Sequence, residues 1–202
     1  MRPLRRIVLV GFMGAGKTTV GRILADRLGW RFVDLDQRIE ELAGRTIAQI
    51  FENDGESTFR RLEAEATATL DAEGDVVLAT GGGWVVHSGL LESLDTRDVV
   101  VWLRVSADEA VRRVSATGPT RPLLGGQDPL ADAAMLVRQR EPYYRLAHIA
   151  IDTERHGPEA VAEMILDQLE DRTAHGEERK TKSARDRGVA GEGEDDRPLS
   201  RR

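Results

Sequence analysis

Short apolar runs alternate with amphipathic stretches between Ile7 and Leu169 of the 202-residue chain. Runs of β-branched and aliphatic residues predict five strands, at Ile7–Val10, Arg31–Val33, Asp75–Ala79, Val99–Leu103 and His148–Ile151. Apolar residues at helical spacing predict the helices between them, at Lys17–Leu28, Gln37–Leu42, Ile47–Phe51, Gly55–Ala72, His87–Leu94, Asp108–Val114, Met135–Leu146 and Pro158–Leu169. This alternation predicts an α/β fold with a parallel sheet, in which ligands bind beyond the carboxyl ends of the strands.

Two stretches lack either pattern. The segment Gly118–Gln127 is rich in Gly and Pro and predicts a surface loop. Residues 174–202 are polar and carry charges of both signs, so they cannot bury enough apolar surface to offset the entropy lost on ordering. We therefore predict one domain, residues 1–173, followed by a disordered polar tail, residues 174–202.

The composition narrows the class of protein further. The chain has no cysteine, which excludes disulfides and thiolate metal sites and fits a reducing cytoplasm. Its formal net charge of −6 argues against general nucleic-acid binding, because affinity for the phosphate backbone comes chiefly from clustered Lys and Arg. No apolar run is long enough to cross a bilayer. We expect a cytoplasmic protein with neither nucleic acid nor membrane as a partner.

The first predicted strand runs directly into a glycine-rich turn, in the sequence IVLVGFMGAGKTT at Ile7–Thr19. Gly11, Gly16, Lys17 and Thr18 fill the spacing G-x-x-x-x-G-K-[ST] of a phosphate-binding loop, between a strand and a helix as that motif requires. Such a loop turns backbone N–H groups toward polyphosphate oxygens, and the following helix adds the positive end of its dipole. We expect Lys17 to reach the β- and γ-phosphates and Thr18 to offer its hydroxyl to Mg²⁺.

The remaining motifs decide between classes of nucleotide-binding protein. The only asparagine, Asn53, is followed by Asp54, so the Asn-Lys-x-Asp that reads guanine in GTP-binding switches is absent. Motor-type ATPases place a metal-orienting Asp at the end of a hydrophobic strand, whereas Asp75–Ala79 ends in Thr and glycines. The acidic candidates at a strand end are Asp34 and Asp36, which could divide contacts with Mg²⁺ and an acceptor hydroxyl between them. The alternative for Asp36 is the N-cap of a helix.

Three consecutive glycines and three arginines are further candidates for ligand contacts. Glycine costs stability in regular structure, so Gly81–Gly83 at a strand end indicates that the backbone approaches a ligand closely. The alternative is a tight turn between strand and helix. The guanidinium fork reads carboxylates and phosphates, which makes candidates of Arg60, Arg121 and Arg140. The alternative is a solvated arginine or, for Arg60, an ion pair with a glutamate of its own helix.

Together these motifs resemble those of shikimate kinases, the P-loop small-molecule kinases that phosphorylate the 3-hydroxyl of shikimate with ATP. The matching segments are GFMGAGKTT at Gly11–Thr19, FVDLDQRIE at Phe32–Glu40, FENDGESTFRRLE at Phe51–Glu63, TGGG at Thr80–Gly83, TRPLL at Thr120–Leu124 and REPYY at Arg140–Tyr144. The resemblance covers about residues 5–170. It implies a three-layer α/β sandwich of the nucleoside-monophosphate-kinase type, with a substrate-binding region at about 34–63 and a mobile lid at about 116–128.

The resemblance also implies a role for each matching residue. It places ATP on Gly14, Ala15, Gly16, Lys17, Thr18, Thr19 and, from the lid, Arg121, with Arg155 and Pro158 at the adenine. It places Mg²⁺ on Thr18 and Asp34, and shikimate on Asp36, Arg60, Gly81, Gly82, Gly83 and Arg140. The catalytic residues that it implies are Lys17, Asp36 and Arg121.

The chain departs from the family pattern at two site positions. Trp84 follows the glycines where a small residue is more usual, and Ala116 stands in the lid where some relatives have a basic residue. Either difference could alter pocket volume and nucleotide affinity. Two other functions stay open, namely another P-loop small-molecule kinase, such as a gluconate-type enzyme, and a non-catalytic nucleotide-binding regulatory module. We expect the protein to be a monomer.

Overall fold

The computed structural model describes residues 4–70, 74–86, 94–117 and 128–172. The chain divides into two compact units, Arg2–Leu166 and a second unit of Met1 with Asp167–Arg202. The larger unit contains all of the strands described below. Of the second unit, residues 167–172 are helical.

The larger unit is built on five parallel strands in the order β2-β3-β1-β4-β5. The strands are β1 (Arg6–Val10), β2 (Arg31–Asp34), β3 (Val76–Ala79), β4 (Asp98–Arg104) and β5 (Ile149–Asp152). The predicted α/β fold with a five-stranded parallel sheet is therefore confirmed. The central strand β1 lies between β3 and β4, so the loops that follow these three strands are neighbours.

Two strands begin with a charged residue that the apolar pattern did not include. Arg6 opens β1 and Asp98 opens β4, and the two residues are paired in register. Both side chains are almost fully buried, with Nε of Arg6 3.9 Å from Oδ1 of Asp98. A buried charge is tolerated in a sheet when an opposite charge lies beside it. A search for apolar runs therefore starts both strands one residue late.

Among the described residues, five α-helices and one short 3₁₀ turn lie between these strands. The helices are α1 (Lys17–Leu28), α2 (Leu35–Ala43), α3 (Ile47–Thr69), α4 (Ala107–Thr117) and α5 (Pro129–Tyr144), and the 3₁₀ turn is Trp84–Val86. Residues 158–166 of the larger unit are also helical.

Helices cover both faces of the sheet. Val8 and Val10 share a core cluster with Leu35 and Ile39 of α2. Successive side chains of a strand point to opposite faces, so Leu9 faces the other way. On that second face, a Cβ added at Gly21 of α1 would lie 3.2 Å from Leu9. The sheet is thus the middle of three layers, as the resemblance implies.

The prediction of two helices at Ile47–Phe51 and Gly55–Ala72 is confirmed in part, because two helical segments meet at Gly55 within α3. The residues from Ile47 to Thr69 are helical except Gly55, where φ is 77° and ψ is 178°, so the first segment extends past the predicted end at Phe51. Glycine alone adopts this conformation readily, so Gly55 marks a boundary between the segments and bends α3 there. Thr46 and Gln49 cap the start of the helix with a reciprocal pair of hydrogen bonds.

Helix α5 starts earlier than the predicted Met135. The Asp128 side chain accepts hydrogen bonds from the N–H groups of Leu130 and Ala131, and Pro129 occupies the first turn. Asp followed by Pro is a favourable helix start, whereas the prediction relied on apolar spacing alone. The helix ends at Tyr144 and contains Pro142.

Several predictions fall on residues that the structure does not describe. They are most of the predicted helix His87–Leu94, the loop Gly118–Gln127 with most of the expected lid, and the polar tail 174–202. Within the described residues, no helix has the length and apolar character needed to span a bilayer.

Candidate active site

A cavity of about 1330 Å³ opens at the carboxyl ends of the strands. Its walls come from the loop after β1, the glycines after β3, and side chains of α3, α4 and α5, with Thr153, His156 and Pro158 beyond β5. Because β1 and β3 are adjacent, the loop after β1 and the three glycines share this one space. The cavity can therefore hold two ligands side by side.

The loop between β1 and α1 packs tightly at its base. Gly11 has a φ of 145°, and a Cβ there would lie 2.4 Å from the carbonyl oxygen of Leu103, so the chain leaves β1 without room for a side chain. The following loop residues all line the cavity: Gly14, Ala15, Gly16, Lys17, Thr18 and Thr19.

The beginning of α1 is suited to an anion. Gly16 is the N-cap, and none of the described side chains caps the first N–H groups of this helix. Those N–H groups and the helix dipole favour negative charge at this point. Lys17 adds a full positive charge, and its Nζ donates to the carbonyl oxygens of Gly11 and Phe12 at 2.8 and 3.0 Å. Three sources of positive potential therefore meet in one loop.

Two oxygen donors lie beside this loop. The Thr18 hydroxyl donates a hydrogen bond to Oδ2 of Asp34 over 2.8 Å, which joins the start of α1 to the end of β2. A hydroxyl and a carboxylate fit Mg²⁺, which prefers oxygen ligands and is usually held by one or two protein groups together with phosphates and water. Groups of three or more His, Cys, Asp or Glu side chains that could hold a metal are absent from the part of the chain described.

The two aspartates of this segment have different surroundings. Asp34 is the N-cap of α2, and its Oδ1 accepts from the N–H of Asp36 over 3.2 Å. Asp36 therefore lies in the first turn, and the alternative that Asp36 is the N-cap is wrong. The Asp36 carboxylate faces the glycines instead, since a Cβ added at Gly81 would lie 3.0 Å from its Oδ1.

The glycines lie between two arginines that are 80 positions apart in sequence. A Cβ added at Gly83 would lie 3.1 Å from Nη2 of Arg60, and a Cβ added at Gly82 would lie 3.3 Å from Nη1 of Arg140. Arg60 is on α3 and Arg140 is on α5. Both guanidinium groups thus approach one short stretch of backbone. A side chain at Gly82 or Gly83 would crowd the nearby arginine.

The two arginines differ in their own partners. Arg60 makes both intrahelical pairs that the sequence allows, with Glu56 at 3.0 Å and with Glu63 at 2.9 Å. Arg140 is 9% exposed, and its guanidinium lies 5.8 Å from the centre of the Phe12 ring. Arg60 therefore forms ion pairs within α3 and also lies close to the glycines.

Glu63 is a site residue that the sequence reasoning did not single out. It is 1% exposed, and its Oε1 has no hydrogen-bond partner among the described residues, whereas Oε2 accepts from Arg60. Burial raises the pKa of Glu63 above its usual value, although the positive charge of Arg60 opposes this shift. Its Oε1 would lie 3.4 Å from a Cβ at Gly81, so the carboxyl faces the same backbone as Asp36.

An aromatic pair forms an apolar wall of the cavity. The rings of Phe51 and Phe59, which flank the kink at Gly55, are 4.8 Å apart between centres and tilted by 34°. Both residues line the cavity. An acceptor molecule with one carboxylate and a carbon ring would find charge on one side and this wall on the other.

The other end of the cavity is bordered by α4 and by the residues after β5. Arg113 donates to the carbonyl oxygens of Gly14 and Thr153, at 3.2 and 2.7 Å, and so ties the phosphate loop to the end of β5. Pro158 lines this end together with His156, whereas Arg155 is exposed and is not among the lining residues. Arg121 lies outside the described residues.

Trp84 does not reduce the volume of the cavity. Its side chain is fully buried in the core cluster beneath the glycines and is not one of the lining residues. The sequence alone does not single out Glu63 or Arg113, because the positions of their side chains depend on Gly81 and Thr153 in other elements. A weak signal existed for Glu63, which stands three residues after Arg60 on one helix.

Comparison with known proteins agrees with this geometry. A family model described as shikimate kinase matches residues 13–170. A shikimate kinase of Moorella thermoacetica is 46% identical over 163 residues, which cover 81% of this chain and 93% of that relative. A shikimate kinase of Mycobacterium marinum is 45% identical over 169 residues, which cover 83% of this chain and 91% of that relative.

Solved structures give the same result. A shikimate kinase from Acinetobacter baumannii in complex with shikimate matches with a TM-score of 0.78 and 39% identity, over 84% of this chain and 94% of that chain. A gluconokinase from Sinorhizobium meliloti matches with a TM-score of 0.58 and 18% identity, over 89% of this chain and 99% of that chain. The second similarity shows a shared fold only.

Proposed function

The chain belongs to the shikimate kinase family, and on that premise we propose that it transfers the γ-phosphoryl group of ATP to the 3-hydroxyl of shikimate. The products are shikimate 3-phosphate and ADP. The observation that carries the proposal is the approach of Arg60, Arg140 and Asp36 to the same three glycines, in a cavity shared with the phosphate-binding loop. This arrangement supports an acceptor with one carboxylate and several hydroxyls.

The acceptor binds through charge at one end. Arg60 and Arg140 hold the shikimate carboxylate by charge-assisted hydrogen bonds, and the bare backbone of Gly81–Gly83 lets the ring approach. Asp36 accepts a hydrogen bond from the hydroxyl that reacts. Phe51 and Phe59 cover the apolar face of the ring.

The nucleotide binds at the other end of the cavity. The loop N–H groups and the start of α1 hold the β- and γ-phosphates, while Lys17 stabilises the charge that builds on the transferred group. Arg113, His156 and Pro158 border the space for the base and ribose. Arg121, from the proposed lid at 116–128, completes the positive field and helps to keep water from the phosphates.

The metal that the family implies fits the residues that this chain offers. Thr18 and Asp34 would hold Mg²⁺, Thr18 through its hydroxyl and Asp34 through water. Bound there, Mg²⁺ would neutralise charge on the phosphate oxygens. Asp34 is already oriented by the Asp36 N–H and the Thr18 hydroxyl, so its carboxylate needs little rearrangement.

Asp36 is the acidic residue that takes the proton of the reacting hydroxyl. Phosphoryl transfer passes through a loose transition state, so the acceptor oxygen bonds to phosphorus before it loses its proton. Asp36 orients the hydroxyl and takes the proton late in the reaction. The carboxylate next to the glycines is therefore a positioning group first and a base second.

A coupled assay of ADP release tests this function against the two alternatives. The wild-type protein is given MgATP with shikimate, quinate, gluconate or a nucleoside monophosphate as acceptor. We expect turnover to require shikimate. Turnover with gluconate instead would favour the gluconate-type kinase, whereas ATP binding without turnover on any acceptor would favour a regulatory module.

We also propose a cytoplasmic monomer. The use of ATP and the lack of cysteine support the cytoplasm. The cavity lined by one chain contains the phosphate loop, both aspartates, Arg60 and Arg140, which supports a site that is complete in one copy. Light scattering coupled to size-exclusion chromatography measures the mass directly and should give that of one chain, 22.3 kDa.

A further inference from the structure

The three glycines form a turn that is closed by the residue after them. The backbone N–H of Trp84 donates to the carbonyl oxygen of Gly81 over 3.2 Å, and the N–H of Val86 donates to that of Gly83 over 3.1 Å. The indole of Trp84 points away from the cavity and is fully buried. The packed Trp84 side chain therefore restricts the position of the turn from the core side, opposite the cavity.

The buried indole makes one specific polar contact. Its Nε1–H donates to the hydroxyl of Thr67 over 3.2 Å, and that hydroxyl donates in turn to the carbonyl oxygen of Glu63 over 2.8 Å. Thr67 is 5% exposed and belongs to α3. A buried indole N–H that loses its partner is costly, so this contact restricts how α3 can lie against the turn.

The Thr67 hydroxyl bonds to the backbone of Glu63, which forms an ion pair with Arg60 on the same helix. Glu63 binds Arg60 through its carboxylate, and the Arg60 guanidinium lies near Gly83, since a Cβ added there would be 3.1 Å from its Nη2. Three polar contacts and this close approach thus lead from the turn through Trp84, Thr67, Glu63 and Arg60 back to the turn, and we call this series the circuit. Displacing α3 by a few tenths of an ångström would change the distance between the guanidinium group and the backbone.

We propose that the hydrogen bond between Trp84 and Thr67 sets the position of Arg60 over the glycine turn and so determines the affinity for the acceptor carboxylate. Trp84 and Thr67 are then positioning residues, since neither lines the cavity. This inference rests on the proposed function, because it takes the carboxylate of shikimate as the group that Arg60 binds.

A second contact makes the circuit specific for Arg60. The Tyr144 hydroxyl donates to the carbonyl oxygen of Gly82 over 2.5 Å, which ties the same turn to α5, the helix of Arg140. The turn is therefore fastened separately to the two helices that bear the arginines. Loss of the Trp84 contact should release the turn from α3 and leave its contact with α5.

The test uses the full-length protein and five variants, one of which, Thr67→Ser, is a rescue variant. Thr67→Val removes the hydroxyl at nearly constant volume, and Trp84→Phe removes the indole N–H. The double variant lacks both groups. Thr69→Val is the matched control, because Thr69 lies on the same helix and its hydroxyl also bonds a backbone carbonyl, that of Ala66 at 2.7 Å, without reaching the turn.

We expect Thr67→Val and Trp84→Phe each to raise KM for shikimate about fivefold, the effect of one ordinary neutral hydrogen bond. KM for ATP should stay within about twofold of wild type. The double variant should bind shikimate no more weakly than the weaker single variant, because both changes break the same bond. Thr67→Ser, which keeps the hydroxyl, should restore the affinity. Calorimetric titration with shikimate alone should show the same order.

Three results would overturn the proposal: an unchanged KM for shikimate in Thr67→Val, an equal rise in Thr69→Val, or strictly multiplicative effects in the double variant. If Trp84→Phe does not fold, Thr67→Val, Thr67→Ser and Thr69→Val decide the question among themselves. Failure of the wild-type protein to phosphorylate shikimate would refute the proposed function and this inference with it. Normal turnover with unaffected variants would refute the inference alone.

Discussion

Asp34 and Asp36 are two residues apart, yet their neighbours give them different tasks. Asp34 accepts a hydrogen bond from the Thr18 hydroxyl at the phosphate loop and another from the N–H of Asp36 in the first turn of α2, so both of its oxygens are held. The carboxylate of Asp36 approaches Gly81, on the acceptor side of the cavity. The junction of β2 and α2 thus directs one carboxylate to the phosphate loop and the other to the glycines, which is the division of roles that we propose.

Replacing each aspartate by asparagine separates these tasks. Asp36→Asn should leave the affinity for MgATP unchanged and nearly abolish phosphorylation of shikimate, because the amide cannot take the proton. Asp34→Asn should raise the Mg²⁺ concentration needed for half-maximal rate, because it removes one negative charge beside the metal. Steady-state rates measured across a Mg²⁺ titration distinguish the two. Identical metal dependence and equal residual rates would contradict the division.

The arginines at the glycine turn should contribute to acceptor binding and little to nucleotide binding. A hydrogen bond to a charged group is worth about 1.5–3 kcal/mol, so Arg60→Ala or Arg140→Ala should weaken shikimate binding roughly 10- to 100-fold. Lysine at either position should restore only part of the affinity, since a point charge lacks the geometry of the guanidinium fork. Calorimetry with shikimate and, separately, with ATP measures both effects. A loss of ATP affinity as large as the loss of shikimate affinity would count against this assignment.

Glu63 should make a measurable contribution to pH dependence. Burial raises its pKa above the usual value of 4.5, so the folded protein holds this proton more tightly than the unfolded chain does. The contribution to stability is therefore complete below pH 4.5 and is lost as the pH rises through the pKa of the folded state. Glu63→Gln replaces the titrating carboxyl by an amide and so removes this pH-dependent contribution to stability.

Urea unfolding of wild type and Glu63→Gln across this pH range checks the sign. The free energy of unfolding of wild type minus that of the variant should fall as the pH rises and then level off. A difference that grows with pH would mean that the ion pair with Arg60 outweighs the cost of burial. The Arg61→Ala variant is a control at an exposed ion pair of the same helix, with Glu65, and should show no such trend.

At the scale of elements, the kink in α3 builds one wall of the cavity. Phe51 and Phe59 lie on opposite sides of Gly55, and their rings meet across the bend. In a straight helix these two residues would be about 12 Å apart along the axis, because each residue rises about 1.5 Å, so their rings could not meet as they do here. The bend therefore makes the apolar wall possible.

Gly55→Ala should strain this bend. The backbone conformation at Gly55 is accessible almost only to glycine, so alanine should cost about 1–3 kcal/mol of stability and raise KM for shikimate, with KM for ATP unchanged. No atom of the residues that the structure describes lies within 4 Å of the added Cβ, so strain and not collision causes the effect. Gly44→Ala, which alters a helix C-cap with the same open space, should lower stability without changing either KM. Thermal unfolding and steady-state kinetics measure the two quantities.

The elements could be predicted where their causes are local. The strand, glycine loop and helix of Ile7–Leu28 follow from a run of apolar residues and a motif of fixed spacing, and all are present. Gly55 marks the boundary between the two helical segments of α3, as its residue type predicts. The earlier start of α5 also has a local cause, the Asp128 cap followed by Pro129, but apolar spacing alone does not detect it.

The site could be predicted in part for the same reason. The phosphate loop lies within one segment, whereas the pairing of Trp84 with Thr67 and of Arg113 with Thr153 depends on tertiary contacts across 17 and 40 positions. Glu63 is not predicted as a site residue because its role depends on burial. Glu63 and Glu56 flank Arg60 on one helix, and their local sequence does not show that Glu63 is buried and Glu56 exposed.

At the scale of the whole molecule, one cavity lies against two neighbouring loops. The phosphate loop follows β1 and the glycine turn follows the adjacent β3, so each of the two proposed ligands would contact a loop from the centre of the sheet. A ligand that binds only the folded state stabilises it by an amount that depends on its concentration relative to Kd. Both ligands should therefore raise the thermal stability of the same cooperative unit.

Lys17→Ala should separate these two stabilising effects. At 100 times its Kd, each ligand should add about 2.7 kcal/mol to the stability of wild type. The variant should lose most of the increment from MgATP, keep that from shikimate, and lose at least about 10²-fold in kcat, since Lys17 stabilises the transferred phosphoryl group. Thermal shift measurements with each ligand alone test this. Equal loss of both increments would indicate that Lys17 supports the fold itself.

Trp84 gives the protein an optical property that its packing role does not require. The indole follows the glycine turn directly and is one of three tryptophans in the chain. Indole emission responds to the polarity and hydrogen bonding around the ring, and here the single N–H bond leads to the helix that carries Arg60. Acceptor entry at the turn is thus coupled to a chromophore that is already in place. Stopped-flow fluorescence of the unlabelled protein can follow acceptor binding in real time, ahead of any chemistry.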